Sequence, residues 1–325
     1  MTETPPRVAL LGECMLELSP VADRPGQYQL GVAGDTFNTA TGLARLGLPV
    51  SYLTGLGDDH HSDDIAGKAA DAGIDMTSVE RLPGYRPGLY LIDNAPDGER
   101  SFSYWRENSA ARETLGNARR LLRLLDRAGE PDYLFISGIT LALCGDDGRE
   151  ALRPWLNTYQ AGGGLVTYDG NYRAALWSSP GAATEAHRQL AERADIYLPG
   201  IEDELELRGL EDKLALTSEL ESAADREIVL KDGAAGVQLF GAAGSTRIAA
   251  EPVDDVVDTS GAGDAFNAGY LAARLHGLSP ATAAAFGCRV AAATIQVPGA
   301  VLPADGWPPL RADLDQLVSE VDSGA

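Results

Sequence analysis

Apolar residues recur along this chain with two alternating spacings. Short unbroken runs, VALL at 8–11, YLFIS at 133–137 and LVTYD at 165–169, suit strands buried on both faces. Between such runs, apolar positions fall three and four residues apart. Phe37, Ala40, Leu43 and Ala44 mark one helix over 36–46, with Gly47 able to end it. The same reading predicts helices over 63–72, 113–127, 147–160, 184–193, 213–222, 265–275 and 280–296. Strands are expected over 8–11, 50–54, 133–137, 165–169, 196–198 and 228–230, and a strand-like segment ends near Val257. This alternation predicts an α/β fold, a mostly parallel central sheet flanked by helices, with ligands outside the carboxyl ends of the strands. Two stretches break the rhythm. GLYLI at 88–92 and RSFSY at 100–104 are β-rich, with a turn expected over 94–98. Residues 15–31 are polar with scattered apolar positions. Both are read as insertions, at about 15–31 and 86–106, that build a small β lid on a single domain spanning 1–325. The residues after Ser319 are expected to be loose.

The chemistry concentrates in DTSGAGD, residues 258–264, directly before the helix over 265–275. A Gly-rich turn before a helix is, alone, a tight connection. Here an acid follows the glycines at once. Gly261, Ala262 and Gly263 leave the backbone bare, so their amides and the positive helix end can hold an anion. Asp264 sits at that same terminus, where a carboxylate is expected to stay ionised and to accept a proton. The pattern points to phosphoryl transfer, with Asp264 activating an acceptor hydroxyl.

Composition narrows the setting. At 325 residues and 44% apolar, the chain can bury a large core, and no apolar run approaches the roughly 20 residues that span a bilayer. The N-terminus lacks a basic region followed by a long apolar stretch, so a cytoplasmic, membrane-free protein is expected. Cys14, Cys144 and Cys288 are far apart, form no CxxC pair and read as buried thiols. A net charge of −22 argues against nucleic acid as a partner. With only Lys68, Lys213 and Lys231 as lysines, the acidic balance suits a salty cytoplasm, although GC-rich coding also depletes lysine. DDHHSDD at 58–64 reads as a loop leading into a helix rather than a metal site.

The segment 258–264 resembles the C-terminal signature of the PfkB/ribokinase-like carbohydrate kinases, and the resemblance runs from Val8 to about Pro303. It implies a ribokinase-like fold, ATP and Mg²⁺ as cofactors, a K⁺ site near Asp258 and Ser260, and Asp264 as the base. VAGDTFN at 32–38 is similar to the family's GG[DN]xxN element, with Ala33 in place of the first glycine. That likeness assigns Gly34, Asp35 and Asn38 to the sugar; on the residues alone, Asp35 or Thr36 would cap the helix. Lys231-Asp-Gly-Ala-Ala-Gly236 resembles the turn beside ATP, which places Lys231, Gly233 and Gly236 with the nucleotide, and Cys288 with neighbouring helix residues by the adenine. The family's NxxE element falls at 200–203, where Gly200 and Asp203 replace Asn and Glu; Asp203, or neighbouring Glu202 or Glu204, is then the candidate to reach Mg²⁺ through water. GECMLEL, AGDTFNTA, PGLY, GERSFSYWR and DGNYR together look like the branch that phosphorylates 2-keto-3-deoxygluconate. In that branch Tyr90, Tyr104, Arg106 and Arg173 contact the sugar acid or the transferred phosphate, and arginine's fork suits a carboxylate. A fructokinase or other sugar kinase, and a sugar sensor without catalysis, are the alternatives. A homo-oligomer is expected, since a β lid offers a free edge.

Overall fold

The computed structural model describes all residues except 1–4, 22–23, 25, 95–99, 224, 243 and 325. Among the described residues, nine strands form a central sheet. Its order is Gly244–Ile248, Val237–Gly241, Glu227–Lys231, Ile196–Tyr197, Leu165–Asp169, Tyr133–Ser137, Val8–Leu11, Val50–Leu53 and Ile74–Asp75. The seven from Glu227–Lys231 to Ile74–Asp75 pair in parallel, and the other two add antiparallel.

The strand Val8–Leu11 shows why its run is unbroken. Side chains alternate across a strand. Val8 and Leu10 enter one core with Phe37, Leu43 and Phe266. Ala9 and Leu11 enter the other with Leu121, Leu124 and Ile136. Both faces are covered by helices, so no position of the strand can be polar without an unpaired buried group.

A second sheet of four strands stands apart, in the order Tyr28–Ala33, Met15–Pro20, Gly88–Asn94 and Arg100–Trp105. It is built from the two stretches that broke the helix–strand rhythm. Register places Glu17, Tyr90 and Tyr104 on one face and Leu18, Leu30 and Leu91 on the other. The turn expected over 94–98 lies, past Asn94, outside the described residues.

Several expectations need correction. No strand leads into the helix Ala262–Leu275; residues 249–259 run as a loop, interrupted by Pro252 and the adjacent acids Asp254 and Asp255, and Val257 N donates to Ile295 O at 2.8 Å. The helix expected over 113–127 is two, Ala110–Leu115 and Ala118–Ala128, because Asn117 caps the second through Arg120 N. The one over 147–160 is the end of Gly138–Ala161, kinked at Gly145. The expected loose tail is the end of a helix, Trp307–Gly324, anchored by Trp307, Leu310 and Leu314. Their spacing of three and four residues is itself helical. Within 58–64, Asp59 caps the helix His60–Ala72 by accepting the amides of His61 and Ser62. The three cysteines are buried and free. Among the described residues, no helix is long and apolar enough to cross a membrane.

Candidate active site

Where the parallel strands end, a cleft of about 1410 Å³ opens between the central sheet and the four-stranded sheet. Besides Gly138–Ala161, whose Ile139 lines it, three helices start in its wall: Asp35–Arg45, Ile201–Arg208 and Ala262–Leu275. Their N-cap residues are Gly34, Gly200 and Gly261, and none has a side-chain cap. The other α-helices with a described N-cap are closed by Ser, Asp or Asn side chains. First-turn amides have no intrahelical acceptor, so three uncapped starts give this cleft a surplus of aligned donors and positive helix ends. Glycine is required at two of these caps for different reasons. Gly261 has φ +69, and a Cβ there would stand 2.1 Å from Ala300 O. A Cβ on Gly34 would stand 2.4 Å from Glu13 O.

Asp264 lies in the first turn of Ala262–Leu275 and lines the cleft. Its Oδ2 accepts Asn38 Nδ2 at 2.8 Å, and Asn38 Oδ1 in turn accepts the Gly34 amide at 3.3 Å. Asn38 therefore orients the acid. Burial pushes the Asp264 carboxyl well above the usual range, and the Asp35 charge adds to this; the Asn38 bond opposes it. The expectation of a carboxylate that readily stays ionised is thus corrected: burial, with the Asp35 charge beside it, favours the protonated form. Such a group is a stronger base than an ordinary aspartate. Gly261 and Gly263 precede it in the same turn; the Ala262 amide between them is turned to Thr259 O at 3.3 Å.

Beside the loop, Lys231 Nζ donates to Asp169 Oδ1 at 3.0 Å and to Asn267 Oδ1 at 3.1 Å, while Asn267 Nδ2 donates to Asp169 Oδ2 at 2.8 Å. A Cβ on Gly263 would be 3.8 Å from this ammonium, so the cation borders the Gly-rich turn. Gly233 and Gly236 line the same end of the cleft, as do Cys288, Ala291 and Ala292.

Also lining the cleft, Arg106 is 5% exposed and bonded to Glu13 through Nη2, yet its buried Nε has no protein partner. Tyr104 lies beneath that guanidinium, 5.8 Å from ring centre to Cζ, and its ring is 5.8 Å from that of Tyr90. Tyr90 donates its hydroxyl to Glu17. Arg173 reaches both oxygens of Asp203 at 3.3 Å. Asn171, in the same loop and at φ 28, donates to Asp35 Oδ2 at 2.9 Å. Burial raises the carboxyls of Asp35 and Asp203.

The cleft thus gathers every residue that the sequence marked for sugar, nucleotide or catalysis, and also Asp203. Two of the acids do otherwise. Glu204 turns away to Tyr197 Oη at 2.5 Å and Arg208 Nε at 2.8 Å. Asp258 lies outside the lining and accepts the amides of Ser260 and Gly299, each at 2.9 Å. Sequence reasoning overlooked Glu13, Glu17, Asp169, Asn171 and Asn267. Acids inside the apolar run GECMLEL and an amide inside AFNAGY were the available signal, since a buried polar group needs a partner.

Comparison with known proteins agrees with this geometry. The profile described as pfkB family carbohydrate kinase matches residues 5–306. A 2-dehydro-3-deoxygluconokinase of Escherichia coli is 36% identical over 313 residues, covering 93% of this chain and 99% of that protein. The enzyme of that name from Dickeya dadantii is 35% identical over 312 residues, covering 94% and 99%. Among solved structures, an E. coli protein of the ribokinase II type in complex with ATP and Mg²⁺ superposes with a TM-score of 0.80 at 22% identity, covering 97% of this chain and 99% of that one.

Proposed function

This chain belongs to the pfkB family of carbohydrate kinases, and from that membership we propose that it transfers the γ-phosphoryl group of ATP to the terminal hydroxyl of 2-keto-3-deoxygluconate, the 2-dehydro sugar acid of its relatives' names. Asp264 takes the hydroxyl proton. The bare turn at 261–263 and the helix end behind it receive the transferring group, with Lys231 at its border. When bound, Mg²⁺ offsets charge on the phosphoryl oxygens; Asp203 and Glu202 line the cleft as hard oxygen donors, and one or two carboxylates plus water is a donor set that suits this ion with a nucleotide. The four-stranded sheet covers the sugar end and limits access of water.

The acidic sugar is carried by one observation: the buried Arg106 Nε that faces no protein acceptor in a cleft lined by Asp264. A buried charged donor left unpaired is costly, and a ligand carboxylate satisfies it. Incubation with Mg-ATP and a sugar panel tests the reading. Phosphate on the keto-acid, with fructose much slower, is expected. Faster phosphorylation of fructose marks a fructokinase, and binding without transfer marks a sensor.

We also propose a homo-oligomer formed through the outer face of the small sheet. Tyr28, Leu30 and Trp105 share that face and are 42%, 45% and 56% exposed. Sedimentation of the wild type as an oligomer, and of Leu30→Glu as a monomer, is expected; a monomeric wild type at micromolar concentration rejects it.

A further inference from the structure

Glu13 sits between the strand Val8–Leu11 of the central sheet and Met15–Pro20 of the small one. It is 2% exposed. One carboxylate oxygen accepts Arg106 Nη2 and the other accepts the Ser109 hydroxyl. The chain makes room for this acid: a Cβ on Gly88 would stand 3.0 Å from Glu13 Oε1. A buried ion pair adds little net stability compared with apolar side chains of the same volume, so packing alone gives no reason for one here.

The pair does have a geometric consequence. Arg106 directly follows the strand Arg100–Trp105 of the small sheet, while Glu13 leaves the central sheet, so the contact crosses from one sheet to the other. The guanidinium is a rigid planar fork, and fixing Nη2 fixes the direction of its other donors. Arg106 and Arg173, which line the cleft, each already have an acid partner, Glu13 and Asp203. Net charge around them is therefore largely cancelled, and what remains to select a carboxylate is donor direction.

We infer that Glu13 is a positioning residue for acidic-sugar recognition, holding the Arg106 fork so that its remaining donors meet the substrate carboxylate. The inference rests on the keto-acid reading given above. Glu13 acts only through Arg106 and touches no reacting atom.

The test is a double-mutant cycle on 2-keto-3-deoxygluconate with Glu13→Ala, Arg106→Ala and the pair, repeated with fructose as acceptor. Loss of an oriented, charge-assisted bond is expected to raise KM for the keto-acid about 10-fold or more in Glu13→Ala, with kcat affected far less. Because Glu13 works through Arg106, the double variant is expected to be no worse than Arg106→Ala alone. Fructose is expected to lose much less kcat/KM than the keto-acid. Glu13→Gln preserves volume and one acceptor; it gives the same order of effects at smaller size and serves if the alanine variant does not fold. Additive losses, or equal losses on both sugars from Glu13→Ala and Glu13→Gln while Arg106→Ala remains selective, overturn the inference and leave a structural acid. Equal losses on both sugars from Arg106→Ala overturn the keto-acid reading itself.

Discussion

Replacing Asn38 with alanine separates orientation of the base from the base itself. The amide donates to Asp264 Oδ2 at 2.8 Å, and Asn38 is 8% exposed, so water does not readily take its place. A hydrogen bond to a charged group is worth about 1.5–3 kcal/mol net, which corresponds to roughly 10–150-fold in rate when the bond serves the reactive form. The burial argues for the upper part of that range. The loss also has a pH signature. Burial and the Asp35 charge disfavour ionised Asp264, and the Asn38 bond favours it. Proton abstraction needs the ionised form, so activity rises as pH rises through this group's pKa. Without Asn38, that acid limb moves to higher pH, and the deficit is larger at about pH 6 than at about pH 9. Steady-state kcat/KM measured by coupled ADP release across that interval reads both effects. A deficit of the same size at every pH, or no deficit, refutes the claim that Asn38 tunes the base.

Asp264→Asn is expected to lower kcat by at least about 100- to 10,000-fold, the contribution of a general base, while sugar binding measured by calorimetry persists. Near-normal turnover excludes Asp264 as the base. The same substitution is expected to raise Tm at about pH 8. A carboxyl whose folded pKa is raised costs stability as pH rises above its unfolded pKa, by about 1.4 kcal/mol for each pH unit of difference, and asparagine removes that cost. The gain shrinks as pH falls toward the ordinary carboxylate range; a Tm below wild type at both ends contradicts the raised pKa.

What could be read from the chain follows contact range. The strand Val8–Leu11 was legible because a doubly buried strand must be continuously apolar. The Gly-rich turn was legible because glycine at 261 answers a backbone demand, the positive φ and the approach of Ala300. Other features are set by partners far away in sequence. Asn38 meets Asp264 across 226 positions, and Arg106 meets Glu13 across 93. Nothing local in AGDTFN distinguishes an amide that grips a sugar from one that grips an acid. The ionisation of Asp264 was not legible for the same reason: the helix end is a local feature, whereas the burial and the Asp35 charge that raise its carboxyl are assembled only by folding. The strands Val237–Gly241 and Gly244–Ile248 were missed because they form an antiparallel extension outside the helix–strand rhythm.

The three uncapped helices connect these observations. A Ser or Asp at an N-cap stabilises a helix by about 1 kcal/mol relative to alanine, and glycine costs only about a few tenths of that while leaving the first-turn amides without a side-chain acceptor. Whereas Gly138–Ala161, whose Ile139 also lines the cleft, and the helices that start elsewhere carry side-chain caps, three helices that start in the cleft carry glycine at the N-cap. The donors left open there converge with Lys231, Arg106 and Arg173 on one volume. In a protein of net charge −22, that convergence makes the cleft a place where anionic groups, such as the nucleotide phosphate and sugar carboxylate of the proposed reaction, can enter together. The acids placed among them, Asp264, Asp35, Asp169, Asp203 and Glu13, keep the cleft from becoming a general anion trap. Two of them cancel an arginine, one cancels the lysine, and the charge of Asp35 helps make Asp264 basic. Selectivity then rests on where each donor points, so substitutions that leave the local charge count intact but shift geometry should harm this site as much as those that change it.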